Sequence, residues 1–416
     1  MPGNHTSADS RPHVVLGVSG GIAAYKACEL LRRFTESGHD VTVVPTESAL
    51  RFVGVATWEA LSGKPVSTSV FDDVSSVAHV RVGQQADLVV VAPATADLLA
   101  RAAHGQAGDL LTATLLTARC PVVFAPAMHT EMWEHPATQA NVETLRSRGA
   151  LVIAPAYGRL TGADTGPGRL PEPAEIFAIC TDVLHRADAA AILDLTGRRV
   201  VVSAGGTREH LDPVRFLGNS SSGKQGYALA AVAAARGAEV TLVAANSALP
   251  EPAGVKVVHV VSIHDLAGAV QEAAHDVDAV VMAAAPADFR PTERQAHKIK
   301  KQADRAAPEL TLTETEDVLA GLVAARGADR LPVLVGFAAE TGDSTAGVLE
   351  HAREKLQRKR CDLLVVNDVG GGAVFGDDDN QAVILSADAA DVPVPRGSKR
   401  DVAHVVWDQV VLRWGS

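Results

Sequence analysis

The sequence predicts an α/β protein of two three-layer domains, each an open sheet with helices on both faces. Three observations predict it. The chain has 416 residues, more than one ordinary domain holds. Short apolar runs alternate with helical patterns along its length, which is how parallel sheets are built. The chain also begins twice. An apolar run breaking at a glycine pair and leading into a helix occurs at residues 14–23 (Val-Val-Leu-Gly-Val-Ser-Gly-Gly-Ile-Ala). The same pattern returns at 200–206 (Val-Val-Val-Ser-Ala-Gly-Gly). A strand, a glycine turn and a helix start are the opening of an anion-binding βα unit.

Composition narrows the function classes. Hydrophobic residues at 47% with aromatics at 4% suit alanine- and valine-rich α/β layers. A net charge of −11 argues against a general nucleic-acid or membrane binder, while leaving room for a local basic pocket. Cys28, Cys120, Cys180 and Cys361 form no CxxC pair, so neither a zinc site nor a disulfide framework is expected, and a reducing cytoplasm is. Residues 1–12 read as a disordered polar tail, and no uncharged apolar run is long enough to span a bilayer.

In the first half, strands are expected at 14–18, 41–44, 88–91, 122–124 and 151–153, with helices at 22–34 and 176–185. Ligands of such sheets sit at the carboxyl ends of the strands. The loops there hold Ser19 and Gly20, then Thr46 and Ser48, then Thr95, then residues 126–133. The first loop is not a GxGxxG fingerprint. It is either a tight turn or a phosphate site made by the helix N-terminus and the Ser19 hydroxyl. Thr46, Ser48 and Thr95 are helix caps or partners for a ribityl or phosphate group. In residues 126–133 (Pro-Ala-Met-His-Thr-Glu-Met-Trp), polar His129 and Glu131 interrupt Met128, Met132 and Trp133. Soft, flat side chains there suit an aromatic ring ligand.

Residues 20–26 (Gly-Gly-Ile-Ala-Ala-Tyr-Lys), 76–79 (Ser-Val-Ala-His), 93–97 (Pro-Ala-Thr-Ala-Asp), 126–133 and 166–169 (Gly-Pro-Gly-Arg) carry a resemblance. Together they resemble the homo-oligomeric flavin-containing cysteine decarboxylases, phosphopantothenoylcysteine decarboxylase in particular. The resemblance implies a flavodoxin-like, Rossmann-like flavoprotein domain over 13–186. FMN would be held by Ser19, Gly20, Thr46, Ser48, Thr95 and Met128. The flavin would oxidise the substrate thiol to a thioaldehyde, which is the electron sink that lets CO₂ leave, and would then return the hydride. His79 matches the family's active-site histidine. His129 stands where the family has the Asn that holds the departing carboxylate. The flap at 158–166 lacks the family's proton-donating Cys, leaving Asp164 or a water for that role.

A junction is expected at 187–197. Beyond it, strands are expected at 200–202, 240–243, 257–261, 279–282, 334–336 and 363–366, with a helix at 228–236 stopped by Gly237. Residues 205–209 (Gly-Gly-Thr-Arg-Glu) and 219–224 (Asn-Ser-Ser-Ser-Gly-Lys) read as a polyphosphate cradle or as a serine-rich surface loop, and they do not match a Walker A loop. Lys355 and Lys359 are four apart and share one helix face, either solvated or facing a polyanion.

Residues 204–208, 219–224, 285–289, 298–301 and 336–341 together resemble the CTP-dependent bacterial phosphopantothenate–cysteine ligases. The whole chain is thus similar to the bifunctional enzymes of coenzyme A biosynthesis. The resemblance implies a Rossmann-like ligase domain over 198–416. Its substrates would be CTP, 4′-phosphopantothenate and L-cysteine, with Mg²⁺ as cofactor. Met282, Ala283, Ala284, Asp288, Asp317, Phe337, Lys355 and Lys359 would line the CTP site, Asp288 also meeting the metal. Lys298 would stabilise charge during turnover of the acyl-cytidylate, Asn219 would hold that intermediate, and Arg208 would bind an anionic group. Decarboxylase trimers and ligase dimers together imply a homo-oligomer as large as a dodecamer.

Two other functions compete. A nicotinamide-dependent oxidoreductase needs GxGxxG and a ribose-binding acid about 20 residues on, and neither half has them. A flavin-fold regulatory or binding protein would fit the missing flap Cys, but not His79 together with the basic motifs.

Overall fold

The computed structural model describes residues 11–68, 78–159, 164–186, 193–300, 309–340, 348–368 and 379–415. The chain divides into two compact units, Met1–Asp194 and Leu195–Ser416. Most of the anticipated junction at 187–197 lies outside the described residues, as do Ser76, the flap centre 160–163, Lys301 and Thr341.

The first unit runs β1 (His13–Val18), α1 (Ala24–Glu36), β2 (Asp40–Pro45), α2 (Val55–Ser62), α3 (Ala78–Gln85), β3 (Leu88–Ala94), α4 (Ala96–Ala103) and α5 (Leu110–Thr117). It continues with β4 (Val122–Pro126), α6 (Thr130–Glu134), α7 (Pro136–Ser147), β5 (Leu151–Val152), β6 (Ala156–Arg159), β7 (Thr165–Arg169) and α8 (Pro173–His185). The sheet order is β2-β1-β3-β4-β5, with every pair parallel. That is the flavodoxin-like order, whose direction reverses between β1 and β3. All of β3 is buried, as is β1 from Val14 onward. Strands covered on both faces are read as unbroken apolar runs because no face is left for polar residues. α1 starts at Ala24 rather than at residue 22; Ile22 lies in a turn and is 66% exposed.

The second unit runs β8 (Arg199–Gly205), β9 (Arg208–His210), β10 (Phe216–Gly218), α9 (Lys224–Ala235), β11 (Glu239–Ala245), β12 (Val255–Val260), α10 (Ile263–Ala273), β13 (Ala279–Met282), β14 (Phe289–Pro291) and β15 (Leu312–Glu314). Then come α11 (Val318–Arg326), β16 (Val333–Glu340), α12 (Val348–Lys359), β17 (Leu363–Asp368), β18 (Asp379–Ser386), β19 (Val392–Ser398) and α13 (Lys399–Trp414). The eight-stranded sheet has the order β12-β11-β8-β13-β16-β17-β18-β19. Pairing is parallel from β12 to β17 and antiparallel at β18 and β19, an edge the alternating pattern did not announce. The order reverses between β8 and β13, so this sheet too has a switch point. α13 packs on α9, where the buried Trp407 donates its Nε1–H to the Leu229 carbonyl at 2.9 Å and Asp408 pairs with Arg236 at 2.8 Å.

α9 begins four residues earlier than expected, directly after Gly223, which takes the left-handed φ of +76°. Its first turn crosses β8 very closely. A Cβ at Gly226 would stand 2.4 Å from the Ala204 Cβ and 2.8 Å from the Ser203 carbonyl oxygen. Backbone cannot yield as a flexible side chain can. Gly226→Ala is therefore expected to cost the second unit about 2 kcal/mol, read as an earlier denaturant midpoint. An unchanged midpoint would show that the helix does not rest on β8.

No helix among the described residues is long and apolar enough to cross a membrane.

Candidate functional site

At the carboxyl end of the first sheet the strand-end loops converge. Ser19 is 1% exposed and staples the switch point: its hydroxyl donates to the Pro93 carbonyl at 2.7 Å and accepts the Thr95 N–H at 2.9 Å. This corrects the expectation that the Ser19 hydroxyl is a free phosphate donor, because its proton is already spent closing β1 on β3. Gly20 lies against Ser48, where a Cβ would come within 2.4 Å of the Ser48 Cβ. Thr46 accepts the Ala49 N–H at 3.2 Å, and Thr95 caps α4 by accepting the Leu98 N–H at 3.4 Å. Both behave as caps, while the exposed Ser48 makes no side-chain cap bond to the turn that follows it. After β4, the Met128 N–H donates to the Gly168 carbonyl at 2.9 Å, and a Cβ at Gly168 (φ +145°) would sit 2.3 Å from the Met128 oxygen. Ser19, Gly20, Thr46, Ser48, Thr95 and Met128 thus form one row along the ends of β1 to β4.

His79 stands on the first turn of α3, with its carbonyl accepting the Thr117 hydroxyl at 2.7 Å. Its Nδ1 is buried without a hydrogen-bond partner, and so is the Thr130 hydroxyl. Buried polar atoms left this way need a partner, and a bound ligand is one group that supplies it. Among the described residues His79 shares no hydrogen bond with the strand-end row. His129 is exposed just before α6, and Asp164 is exposed at the edge of the flap.

The second unit holds a cavity of about 930 Å³ at its own switch point. One wall is Asn219 and Ser221–Gly226, at the start of α9. A second is Met282–Phe289, after β13. A third is Glu314–Leu319 with Phe337, Lys355, Arg358 and Lys359. Expected residues Asn219, Met282, Ala283, Ala284, Asp288, Asp317, Phe337, Lys355 and Lys359 therefore meet around one space. Lysines from separate elements with a helix N-terminus describe a site for a polyanion.

Lys298 and Arg208 are not among that lining. Lys298 is exposed on a segment whose next residue, Ile299, is gripped on both sides: its N–H donates to Asp212 at 3.1 Å and its carbonyl accepts Arg215 at 3.0 Å. Arg208 lays its guanidinium over the Phe216 ring, 4.7 Å from the centroid. Asp317 is in the lining but is not a free carboxylate. It caps α11 through the Ala320 N–H at 3.1 Å and pairs with Lys359.

Burial works against ionisation of Asp317, but the Lys359 ammonium and the Ala320 amide outweigh it and hold its carboxyl below the ordinary aspartate range. A depressed pKa adds stability above the unfolded-state value and loses it as pH falls through the folded-state one. Asp317→Ala should thus cost about 1 kcal/mol near neutrality, and the gap should narrow progressively once pH falls below about 4. Urea unfolding near neutrality and well into that acid range tests this; an equal gap at both would remove the charge from the account.

Sequence reading missed Gln225, Asn380 and Lys399, which line the cavity together with the strand-end Asn367. Asn380 donates to Asn367 and to Gln225, both at 3.2 Å, and Gln225 donates to the Lys399 carbonyl at 3.0 Å. One signal was available: Ser398 and Asp401 form a capping box ahead of the apolar α13.

Among the described residues no group of three or more His, Cys, Asp or Glu could hold a metal ion, so Asp288 belongs to no such group.

Residues 195–412 match the family model described as DNA/pantothenate metabolism flavoprotein C-terminal domain, and residues 2–185 match the Flavoprotein model. The chain is 61% identical over 405 residues to the "Coenzyme A biosynthesis bifunctional protein CoaBC" of Mycolicibacterium smegmatis, covering 96% of this chain and 97% of the relative. Among solved structures, the C-terminal domain of a coenzyme A biosynthesis bifunctional protein CoaBC is 35% identical, covering 54% of this chain and 98% of that one, with a TM-score of 0.45. The FMN-dependent cysteine decarboxylase SpaF is 34% identical, covering 42% of this chain and 97% of its own, with a TM-score of 0.38.

Proposed function

The chain belongs to the coenzyme A biosynthesis bifunctional proteins, and on that premise we propose that it performs two consecutive reactions. The second unit joins 4′-phosphopantothenate to L-cysteine with CTP. The first unit, a flavoprotein, removes CO₂ from the product to give 4′-phosphopantetheine. The cavity at the β8/β13 switch point carries this reading, because cationic side chains there face a wall of plain backbone across a space that fits a nucleotide.

In the ligation, the substrate carboxylate attacks the α-phosphorus of CTP and pyrophosphate leaves. The cysteine amine then attacks the acyl-cytidylate, and CMP leaves with the bonding pair. The protein's part is charge and placement. Lys355 and Lys359 on α12 and the N-terminus of α9 balance the triphosphate. Ala283 and Ala284 offer backbone to the base. Asn219, latched to the Pro286 carbonyl at 2.7 Å, would hold the acyl-cytidylate. A Mg²⁺ ion would arrive on the triphosphate, keep most of its ligands from phosphate and water, and take at most Asp288 from the protein.

In the decarboxylation, FMN bound at the strand-end row would supply the electron sink that a cysteine carboxylate lacks. The row suits it: Gly20 lets the first turn lie flat on Ser48, and Gly168 lets the β7 hairpin close on Met128. His79, with an unsatisfied buried Nδ1, would move the proton, and His129 would hold the departing carboxylate. Ile22, Tyr25 and Tyr157 are 66%, 61% and 70% exposed, which supports a homo-oligomer in which another copy covers them. The cytoplasm is the proposed location.

Mass detection of products, with phosphopantothenate, cysteine and CTP omitted in turn, tests the reading. The amide and then 4′-phosphopantetheine should form only when all three are present, from protein with a flavin absorbance. Formation of product without CTP would sink the ligase half; colourless protein that takes up no FMN would sink the other.

A further inference from the structure

The loop at 283–288 has no polar side chain before Asp288, so it meets a ligand with backbone alone. Much of that backbone is already committed. Ser203, fully buried, accepts the Ala284 N–H at 3.1 Å, and Thr207, 1% exposed, accepts the Ala287 N–H at 2.9 Å. The Ala285 N–H goes to the Gly205 carbonyl at 2.8 Å. From the cavity side, the Thr315 hydroxyl donates to the Ala287 carbonyl at 2.7 Å.

We propose that Ser203 and Thr207 are positioning residues for the nucleotide: their buried hydroxyls turn the amides of Ala284 and Ala287 away from the ligand, so that the stretch at Ala283 and Ala284 meets the base as an acceptor, the carbonyls of Ala285 to Asp288 being taken by Thr207, Asn219 and Thr315. An acceptor edge suits the exocyclic amino group of cytosine and repels the oxo group at the same place in uracil. The inference rests on the reading of this cavity as the CTP site. It assigns the choice of base to side chains that never touch it.

Thr207→Val keeps the shape and removes the acceptor. The stranded Ala287 N–H must then find another partner, and the loop moves or offers a donor to the base. In the full-length protein, KM for CTP should rise about fivefold to tenfold, and the preference for CTP over UTP should fall by a similar factor. The kcat of ligation should change less than about twofold, and decarboxylation of added phosphopantothenoylcysteine should be untouched. Thr207→Ser, which restores the hydroxyl, should restore both KM and preference. Should Thr207→Val not fold, Ser203→Ala strands the Ala284 N–H in the same way and should move KM and preference in the same direction. Wild-type binding of CTP is measured first by calorimetry, and its absence would overturn the nucleotide reading itself. Given that binding, an unchanged KM and CTP/UTP ratio would overturn only the positioning role. So would a loss confined to kcat, or a Thr207→Ser variant as impaired as Thr207→Val.

Discussion

Replacing His79 with alanine is expected to slow CO₂ release about 10²- to 10⁴-fold, the range a positioned proton-transfer group supplies, while CTP-dependent amide formation keeps its rate. The expectation comes from an atom rather than from the motif alone. Nδ1 of His79 is buried and unpaired, a state that costs the folded protein free energy unless a bound group completes it. The two proposed sites also lie in separate compact units with separate switch points. Assays run side by side on added phosphopantothenoylcysteine and on the ligation substrates measure the two effects. Equal loss of both would mean that the units do not work independently; no loss of either would return His79 to a structural role.

Lys298→Gln carries the second large effect. Ligation should fall about 10²- to 10³-fold, as when one preorganised cationic or donor group at a charged transition state is removed, with CTP affinity within a few-fold of wild type. The structure sharpens this test. Lys298 is exposed and outside the cavity lining, and its neighbour Ile299 is clamped by Asp212 and Arg215. Burial opposes ionisation of Asp212, but the N–H groups of Val214, Ile299 and Arg215 together with the Arg215 charge overcome it and keep the carboxyl below its ordinary range. That clamp is therefore charged at working pH. A lysine on a solvated face would change ligation less than about twofold. Single-turnover ligation and CTP binding, measured on the same preparation, separate the two readings.

Much of the fold was legible because burial leaves a record in composition. β1, β3, β8 and β13 are covered on both faces, so their residues had to be an unbroken apolar series, and each was visible. The antiparallel edge was not. Among the described residues no helix precedes β18 after β17 or separates β18 from β19, so the alternation of strand and helix, which carried the rest, was silent there. Asn380 and Lys399, which that edge and α13 bring to the cavity, were missed for the same reason. Helix starts were legible only to within a turn. The first turn of α9 is polar and glycine-containing, because Gly226 has to lie against Ala204.

The one-dimensional order of residues, by itself, determined that there are two sheets, where each begins, and which small polar loops stand at strand ends. Those depend on local periodicity and on the few residues that permit tight turns. Only the tertiary structure decided how those loops are used. Ser19 and Asp317 were read as ligand contacts, yet one closes β1 on β3 and the other caps α11 beside Lys359. Ser203 was passed over and Thr207 was read as part of a polyphosphate cradle, yet both hold the loop that faces the cavity. A hydroxyl or carboxylate has few bonding positions, and whether a neighbouring amide or a ligand fills them depends on groups tens of residues away along the chain.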